Sequence, residues 1–427
     1  MQATDFKEKR QSGDIQSSKV ERRAVVDSER RIILPPEMAS RYGFRPGAEI
    51  FIDEVMNGLR LRMPVTHLAK VYVEPTNRCN LECRICMRHE WSEPLGEMDG
   101  ETFSRIIEGL RGFSPVPLVF FGGLGEPLAH PDIVKMVAQA STLGAQVELI
   151  TNGTLLRREM SRKLIEAGLD MLWVSLDGAN PESYADVRLG AAFPEVIANV
   201  SVFRDACHLA FPHRPQIGVV FVAMKRNIAD LPAILSLGSQ LGARRFLVTN
   251  VLPYTAEMRD EILYSRALGD FVYGALLDLP KLDLNEETRD SFYRVMRSGK
   301  NVAFGGSRLG ETNNRCPFIE SGAAAISWEG NVSPCLPLLH SNMNFLDGRE
   351  RFSRKYVVGN IKDGDLQTLW NKPEYVALRE RVKIFDCSPC YICGGCDLAE
   401  ANEEDCFGNS FPTCGGCLWA QGIIRCP

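Results

Sequence analysis

In its first quarter the chain reads Cys79-Asn80-Leu81-Glu82-Cys83-Arg84-Ile85-Cys86, a C-x3-C-x2-C spacing. Three thiols on so short a loop can ligate one metal centre. Electron-transfer 4Fe-4S clusters are held by four cysteines, so three thiolates would leave one iron bare and open to a chelating small molecule. Two plainer readings stay open. His89 could complete a C-x3-C-x2-C-x2-H zinc set, since structural zinc takes four ligands. A complete ferredoxin site would need another cysteine close by, and the next is Cys207.

Ten of the 14 cysteines follow residue 315, and eight of them fall between Cys387 and Cys426. Cys316, Gly330 and Cys335 form C-x13-G-x4-C, and Cys387, Cys390 and Cys396 form C-x2-C-x5-C, with Cys393 between the last two. Cys406, the pair Cys414 and Cys417, and Cys426 close the chain. A tail this rich in glycine, cysteine and turn residues has few apolar residues for a core, so metal crosslinks are expected to supply what packing does not. Zinc ribbons would also use C-x2-C pairs. Ten thiols exceed the eight that two fully ligated clusters need, so their partition stays open. Cys207, within a helical run over Val196–Leu209, reads as a small buried hydrophobe.

The elements that must position these groups follow a strand–loop–helix repeat from Ala69 onward. Strands are expected at Lys70–Glu74, Leu118–Phe121, Gln146–Thr151, Met171–Leu176, Ile217–Ala223 and Arg245–Asn250. Helices are expected at Thr102–Leu110, Pro131–Leu143, Arg158–Ala167, Pro194–Leu209 and Ala229–Leu241, with one more at Leu366–Val382. Six strands each followed by a helix imply an α/β fold with a parallel sheet, open or closed into a barrel. Chemistry in such sheets collects at the C-terminal strand ends.

Composition bounds the function classes. With 45% hydrophobic and 24% charged residues the chain is globular rather than disordered. Its 427 residues suggest two or three domains at ~150 residues each. A net charge of -5 argues against a chain built mainly to coat nucleic acid. No apolar run reaches the ~18 residues of a membrane helix. Met1–Lys19 is polar and mixed in charge, read as a flexible tail and not a secretory signal. A cytoplasmic, reducing setting follows, where cysteines serve as metal ligands rather than disulfides.

The motifs at successive strand ends resemble those of the radical S-adenosylmethionine (SAM) superfamily. The cysteine loop follows the first strand. Gly122-Gly123-Leu124-Gly125-Glu126-Pro127 follows the second, Thr151-Asn152-Gly153 ends the third, Ser175-Leu176-Asp177-Gly178 the fourth, and Asn250-Val251-Leu252-Pro253 the sixth. The resemblance covers roughly residues 66–260. It implies a partial (β/α)6 TIM-type barrel with Cys79, Cys83 and Cys86 on a 4Fe-4S cluster. SAM is expected on Gly122, Gly123, Gly125, Glu126, Pro127, Asn152, Ser175, Asp177, Arg188 and Asn250. The glycine-rich turn would hold the methionine amino group, and Ser175 and Arg188 the ribose and methionine carboxylate. One departure is Ile85, where relatives often carry an aromatic residue before the third cysteine. The implied reaction is reductive cleavage of SAM to a 5′-deoxyadenosyl radical that abstracts a hydrogen atom. The sequence assigns no general base.

Residues 301–427 are similar to the SPASM extension, which implies one or two auxiliary 4Fe-4S clusters on Cys316, Cys335, Cys387, Cys390, Cys393, Cys396, Cys406, Cys414, Cys417 and Cys426. The pattern departs where a cysteine would fall at Glu400. The closing run Cys406-Phe407-Gly408-Asn409, Cys414-Gly415-Gly416-Cys417-Leu418-Trp419 and Cys426-Pro427 resembles radical maturases associated with tungsten-dependent aldehyde ferredoxin oxidoreductases. That resemblance implies a peptide, protein or cofactor substrate in that enzyme's system and a ferredoxin- or flavodoxin-type low-potential electron donor. A peptide maturase unrelated to tungsten enzymes is the alternative.

Residues 20–65 read as a small β-unit. Strands are expected at Ala24–Asp27 and Arg31–Leu34, and a short helix opens at Pro35-Pro36 and runs to Tyr42, before Gly43 and Pro46-Gly47. A hairpin is expected around Asn57-Gly58. The unit resembles an AbrB-type swapped hairpin, implying a homodimer. So small a unit needs a partner copy or the main body to bury its apolar face. Arg22, Arg23, Arg30 and Arg31 could meet DNA phosphates, although Glu21, Asp27, Glu29 and Glu37 offset much of that charge. Two further readings are a metal-stabilised DNA-binding regulator and a multicluster electron carrier; neither needs the glycine-rich turn.

Overall fold

The computed structural model describes residues 23–41, 44, 50–55, 58–210, 214–265, 282–300, 302–304, 314–391, 393 and 396–427. The expected tail 1–19, Arg22, Tyr42-Gly43, Pro46-Gly47 and Asn57 lie outside them. Among the described residues, no helix is long and apolar enough to cross a membrane.

At the N-terminal end, β1 (Val25–Val26) pairs with β2 (Ile32–Ile33), and β3 (Phe51–Val55) with β4 (Gly58–Arg62), with helix α1 (Pro36–Arg41) between the pairs. Arg30 takes a left-handed conformation in the first turn, where no glycine is available. Arg31 is paired with Asp27 at 2.8 Å and Glu29 at 3.0 Å. Arg62 docks the second hairpin on the main body, reaching Glu320 at 3.2 Å and the Lys383 carbonyl at 3.0 Å.

Six parallel strands form the centre: β5 (Lys70–Val73), β6 (Leu118–Phe121), β7 (Val147–Thr151), β8 (Met171–Ser175), β9 (Gln216–Ala223) and β10 (Ala243–Asn250). Each pairs with the next in order, as a right-handed βα series dictates. All five residues of β8 are buried, matching strands covered on both faces. Helix α2 (Gly100–Arg111) starts where Asp99 accepts the Thr102 amide at 2.6 Å, and it presses Phe103, Ile106 and Leu110 into the core. Each such side chain contributes about 1.5–3 kcal/mol. Helices α3 (Ile133–Thr142), α4 (Arg158–Glu166), α5 (Pro181–Val187), α6 (Phe193–Leu209) and α7 (Leu231–Gln240) complete the outer layer. Cys207 is buried on α6, and burial pushes its thiol up to about 12, as befits an inert core residue.

The sheet continues past the six strands. On one side β11 (Val302–Phe304) pairs with β10. On the other, β12 (Ala323–Ile326) runs parallel to β5 and is followed by the antiparallel strands β13 (Asn331–Ser333) and β16 (Gly359–Asn360). The change of composition at residue 301 therefore does not break the sheet. Between these last two in sequence, β14 (Asn342–Leu346) and β15 (Arg349–Ser353) form a separate hairpin.

Two expectations for the tail are corrected. The helix read over Leu366–Val382 is two helices, Leu366–Trp370 and Pro373–Ile384, because Pro373 lacks the N–H that would continue the first. The cysteine-rich end also has an apolar core, with Leu418, Ile423 and Ile424 packed on Tyr264, Leu346 and Tyr391.

Candidate active site

The loop after β5 is tied down before it reaches its first cysteine. Thr76 donates to the Gly96 carbonyl at 2.7 Å, and the Asn77 side chain bridges the Pro94 carbonyl and the Gly96 amide at 2.9 and 2.8 Å. Farther on, the Glu82 and Arg84 amides donate to the Leu189 and Val187 carbonyls. So held, Cys79, Cys83 and Cys86 line one cavity of about 220 Å³ at the C-terminal strand ends. Ile85 lines it too, an aliphatic contact beside the third cysteine. His89 donates from Nε2 to the Cys83 carbonyl at 2.9 Å. Among the described residues, no three His, Cys, Asp or Glu side chains converge on one ion-sized point. Three thiols bordering one cavity are a donor set that could hold a cluster with one open iron.

The opposite walls come from the next three strand ends. Gly123, Leu124, Gly125, Glu126 and Pro127 face the cysteines across the cavity. A Cβ on Gly125 would collide with the Thr76 and Arg78 carbonyl oxygens, so only glycine lets this turn nest against the cysteine loop. The Glu126 amide donates to the Arg78 carbonyl at 2.8 Å and joins the two loops. Its buried carboxylate accepts from the Thr151 hydroxyl (2.7 Å) and from the Asn152 (2.8 Å) and Leu128 (3.0 Å) amides. Burial raises its pKa, and these donors oppose the rise. Asn152 donates to the Asn80 side chain at 3.0 Å and reaches the cavity from the third strand end.

Ser175 and Arg188 complete the wall. Burial would weaken the hold of Arg188 on its proton, but Asp177 and the Cys83 thiol more than reverse this. Asp177, fully buried, grips Arg188 at 2.6 Å through Nε and 2.5 Å through Nη2, and its other oxygen accepts the Val222 amide at 2.8 Å. Arg188 also reaches toward the Cys83 sulfur at 3.8 Å. Burial raises the Cys79 and Cys83 thiols, with Arg188 countering at Cys83. Arg88 donates to the Cys86 sulfur at 3.3 Å.

Ten of the 13 residues read as cluster or SAM contacts share this cavity. Three do not line it. Gly122 sits behind, where a Cβ would meet Phe120 and Ile150. Asp177 acts through Arg188. Asn250 donates instead to the Ile423 carbonyl at 2.9 Å, tying the last segment of the chain to β10. Cavity-lining residues that the motifs did not single out include Arg88, Thr151 and Tyr254. Thr151 stood beside Asn152 in its motif, and Tyr254 directly follows Pro253.

A second cavity, of about 80 Å³, is lined by Cys316, Cys335, Cys414 and Cys417, with Arg351 and Tyr254. Tyr254 borders both cavities. Burial raises all four thiols, Cys316 to about 12. Arg351 is buried and donates to the Ala399 carbonyl; burial lowers its pKa, and the nearby Cys390, Cys417 and Cys414 oppose that shift. Cys387 lies buried nearby, and burial pushes its thiol up to about 11. Cys390 is partly exposed, Cys393, Cys396 and Cys406 are exposed, and Cys426 accepts from the Trp419 indole at 3.3 Å.

Residues 73–211 match the family model described as the Radical SAM superfamily, and residues 316–397 match SPASM, an iron-sulfur cluster-binding domain. Neither span reaches the N-terminal hairpins. The chain is 32% identical over 364 residues to the tungsten-containing aldehyde ferredoxin oxidoreductase cofactor-modifying protein of Pyrococcus furiosus, covering 84% of this chain and 96% of that protein. It is 29% identical over 303 residues to the AdoMet-dependent heme synthase of Methanosarcina barkeri, covering 68% and 83%. In fold it is similar to native anSMEcpe with bound AdoMet, at TM-score 0.54 and 17% identity over 76% of this chain and 87% of that one. Streptococcus suis SuiB bound to precursor peptide SuiA matches at TM-score 0.54 and 16% identity, over 78% and 72%.

Proposed function

Since this chain belongs to the radical SAM superfamily and carries its SPASM extension, we propose that it is a maturase whose first cavity holds a 4Fe-4S cluster and SAM together. One observation carries the reading: three thiols, a glycine turn, Ser175 and Arg188 share a single cavity at the strand ends. Cys79, Cys83 and Cys86 would hold the cluster, and among the described residues no fourth cysteine lines this cavity. When bound, the cluster and SAM supply a one-electron reductive cleavage that yields a 5′-deoxyadenosyl radical able to take a hydrogen atom from an unactivated carbon. The chain's own residues bind and orient. Gly123–Pro127 present a close backbone surface to the methionine amino group. Arg188, braced by Asp177, offers a fixed positive charge to its carboxylate. Ser175 and Asn152 meet the ribose side, and Ile85 and Ile150 keep water from the reacting bond.

In the second cavity Cys316, Cys335, Cys414 and Cys417 would hold an auxiliary 4Fe-4S cluster, and the buried Arg351 would offset its negative charge. Cys387, Cys390, Cys393, Cys396, Cys406 and Cys426 remain for a second one. The near full-length match to the Pyrococcus furiosus protein supports a substrate in the tungsten aldehyde oxidoreductase system, a peptide, protein or cofactor. The electron comes from a low-potential ferredoxin- or flavodoxin-type donor. Residues 20–65 dimerise the chain rather than bind DNA, 66–300 form the SAM unit and 301–427 the auxiliary unit, in a cytoplasmic enzyme. Protein reconstituted anaerobically with iron and sulfide, then given dithionite and SAM, should release 5′-deoxyadenosine. Replacing Cys79, Cys83 and Cys86 by Ala should stop the release; continued release refutes the reading.

A further inference from the structure

Behind the glycine-rich turn lies a buried group of charges that none of the motifs contains. Glu74, the first residue after β5, is fully buried. One of its oxygens accepts the Leu124 amide of the turn at 3.1 Å, and the other accepts Nε2 of His340 at 2.8 Å. The fit to the turn is close, since a Cβ on Gly123 would come within 2.8 Å of the Glu74 carboxylate. His340 lies five residues beyond Cys335, on the chain that walls the second cavity. Its Nδ1 reaches Glu93 at 2.6 Å, just past the cysteine loop. Glu93 is held in turn by the Ser341 amide and by Lys355, each at 3.1 Å. The Trp91 ring packs edge-on to the imidazole, with centroids 4.7 Å apart. Glu74, Glu93, Lys355 beyond Glu93, and Trp91 are the groups that face His340.

An imidazole with a carboxylate on each nitrogen donates from both only as the imidazolium. Burial would lower its pKa, but hydrogen bonds and charge from Glu74 and Glu93 raise it to about 9. From β5, from the segment after the cysteine loop and from the strand region after Cys335, three parts of the chain therefore meet on one cation.

We propose that His340 is a positioning residue for SAM, its imidazolium fixing Glu74 so that Glu74 fixes the Leu124 amide and the turn that receives the cofactor. The inference rests on the reading of the first cavity as the SAM site. His340 lies within the stretch 316–397 that matches the SPASM model, so it ties that part of the chain to the turn.

The test is equilibrium dialysis of radiolabelled SAM against anaerobically reconstituted full-length protein between pH 7 and 9.5, with iron content measured on each sample. Wild type should bind more weakly as the pH passes about 9, where the imidazolium is lost. His340→Gln should bind about tenfold more weakly at pH 7 and show no such midpoint, with its iron content kept. Glu93→Gln, which leaves Glu74 and the turn in place, should move the wild-type midpoint to lower pH. Binding by His340→Gln within twofold of wild type, or a midpoint unmoved in Glu93→Gln, overturns the inference. Failure of wild type itself to bind SAM at pH 7 would overturn the cofactor assignment and this inference with it.

Discussion

Asp177→Asn separates a residue that touches the cofactor from one that acts through its neighbour. Asp177 lies off the cavity wall, yet it accepts two hydrogen bonds from Arg188, at 2.5 and 2.6 Å, while its second oxygen caps the Val222 amide at 2.8 Å. Asparagine keeps the shape and one acceptor, but it brings an NH2 against a donor and removes the only carboxylate paired with Arg188 among the described residues. Breaking one side of a buried ion pair costs about 3–5 kcal/mol. The Cys83 sulfur, 3.8 Å from the guanidinium, offsets part of that, so about 2–3 kcal/mol of stability should be lost. For a chain of 427 residues, at roughly 1 °C per kcal/mol, the midpoint falls by about 2–3 °C. Because Arg188 loses its brace, SAM should also bind at least tenfold more weakly, equivalent to about 1.4 kcal/mol. Thermal denaturation and equilibrium dialysis of the same reconstituted sample measure both. An Asp177→Asn protein that melts lower but binds SAM as wild type does would reduce Asp177 to a stability element. One unchanged in both would refute the ion-pair argument outright.

Gly125→Ala forces a methyl onto the Thr76 and Arg78 carbonyls, so the turn and the cysteine loop must part. We expect a cost of about 1–3 kcal/mol and loss of most 5′-deoxyadenosine release, measured by chromatography of the products. Cys335→Ser and Cys414→Ser should each lower iron by about one cluster per chain while leaving SAM cleavage measurable; iron analysis and electron paramagnetic resonance of the reduced protein decide. The His340–Glu93 pair sets a pH window for stability. His340 is raised from 6.5 to about 9, so its contribution is whole below pH 6.5 and disappears as pH rises through 9. Glu93 is lowered from 4.5 to about 2, so its contribution is whole above pH 4.5 and disappears as pH falls through 2. Denaturation midpoints across pH should flatten at both ends in a His340→Gln, Glu93→Gln double variant.

Much of the barrel was legible because each strand is a short apolar run, and α2, α5, α6 and α7 open on a capping side chain or a first-turn proline. β6 falls where the alternation put it, at Leu118–Phe121, and the other five strands shift by one or two residues at an end. The cavity residues were legible because each motif sits at a strand terminus. Asn250 ends a strand as the others do, but it does not line the cavity and donates to the Ile423 carbonyl. Glu74, His340 and Glu93 were not legible. They are far apart in sequence, and only the fold brings a lone histidine between two carboxylates. β12 was missed because Ala323–Ile326 is three alanines and a single β-branched residue, Ile326, too little to mark a strand. The split of Leu366–Val382 depended on Pro373, which reads equally as a first-turn proline of a second helix.

The pairing of β12 with β5 has a consequence for assembly. The strand that launches the cysteine loop has one edge bare until a segment roughly 250 residues later has been synthesised and docks beside it. A ribosome-bound or truncated chain ending before residue 323 would present that edge to any neighbouring strand, an invitation to aggregate.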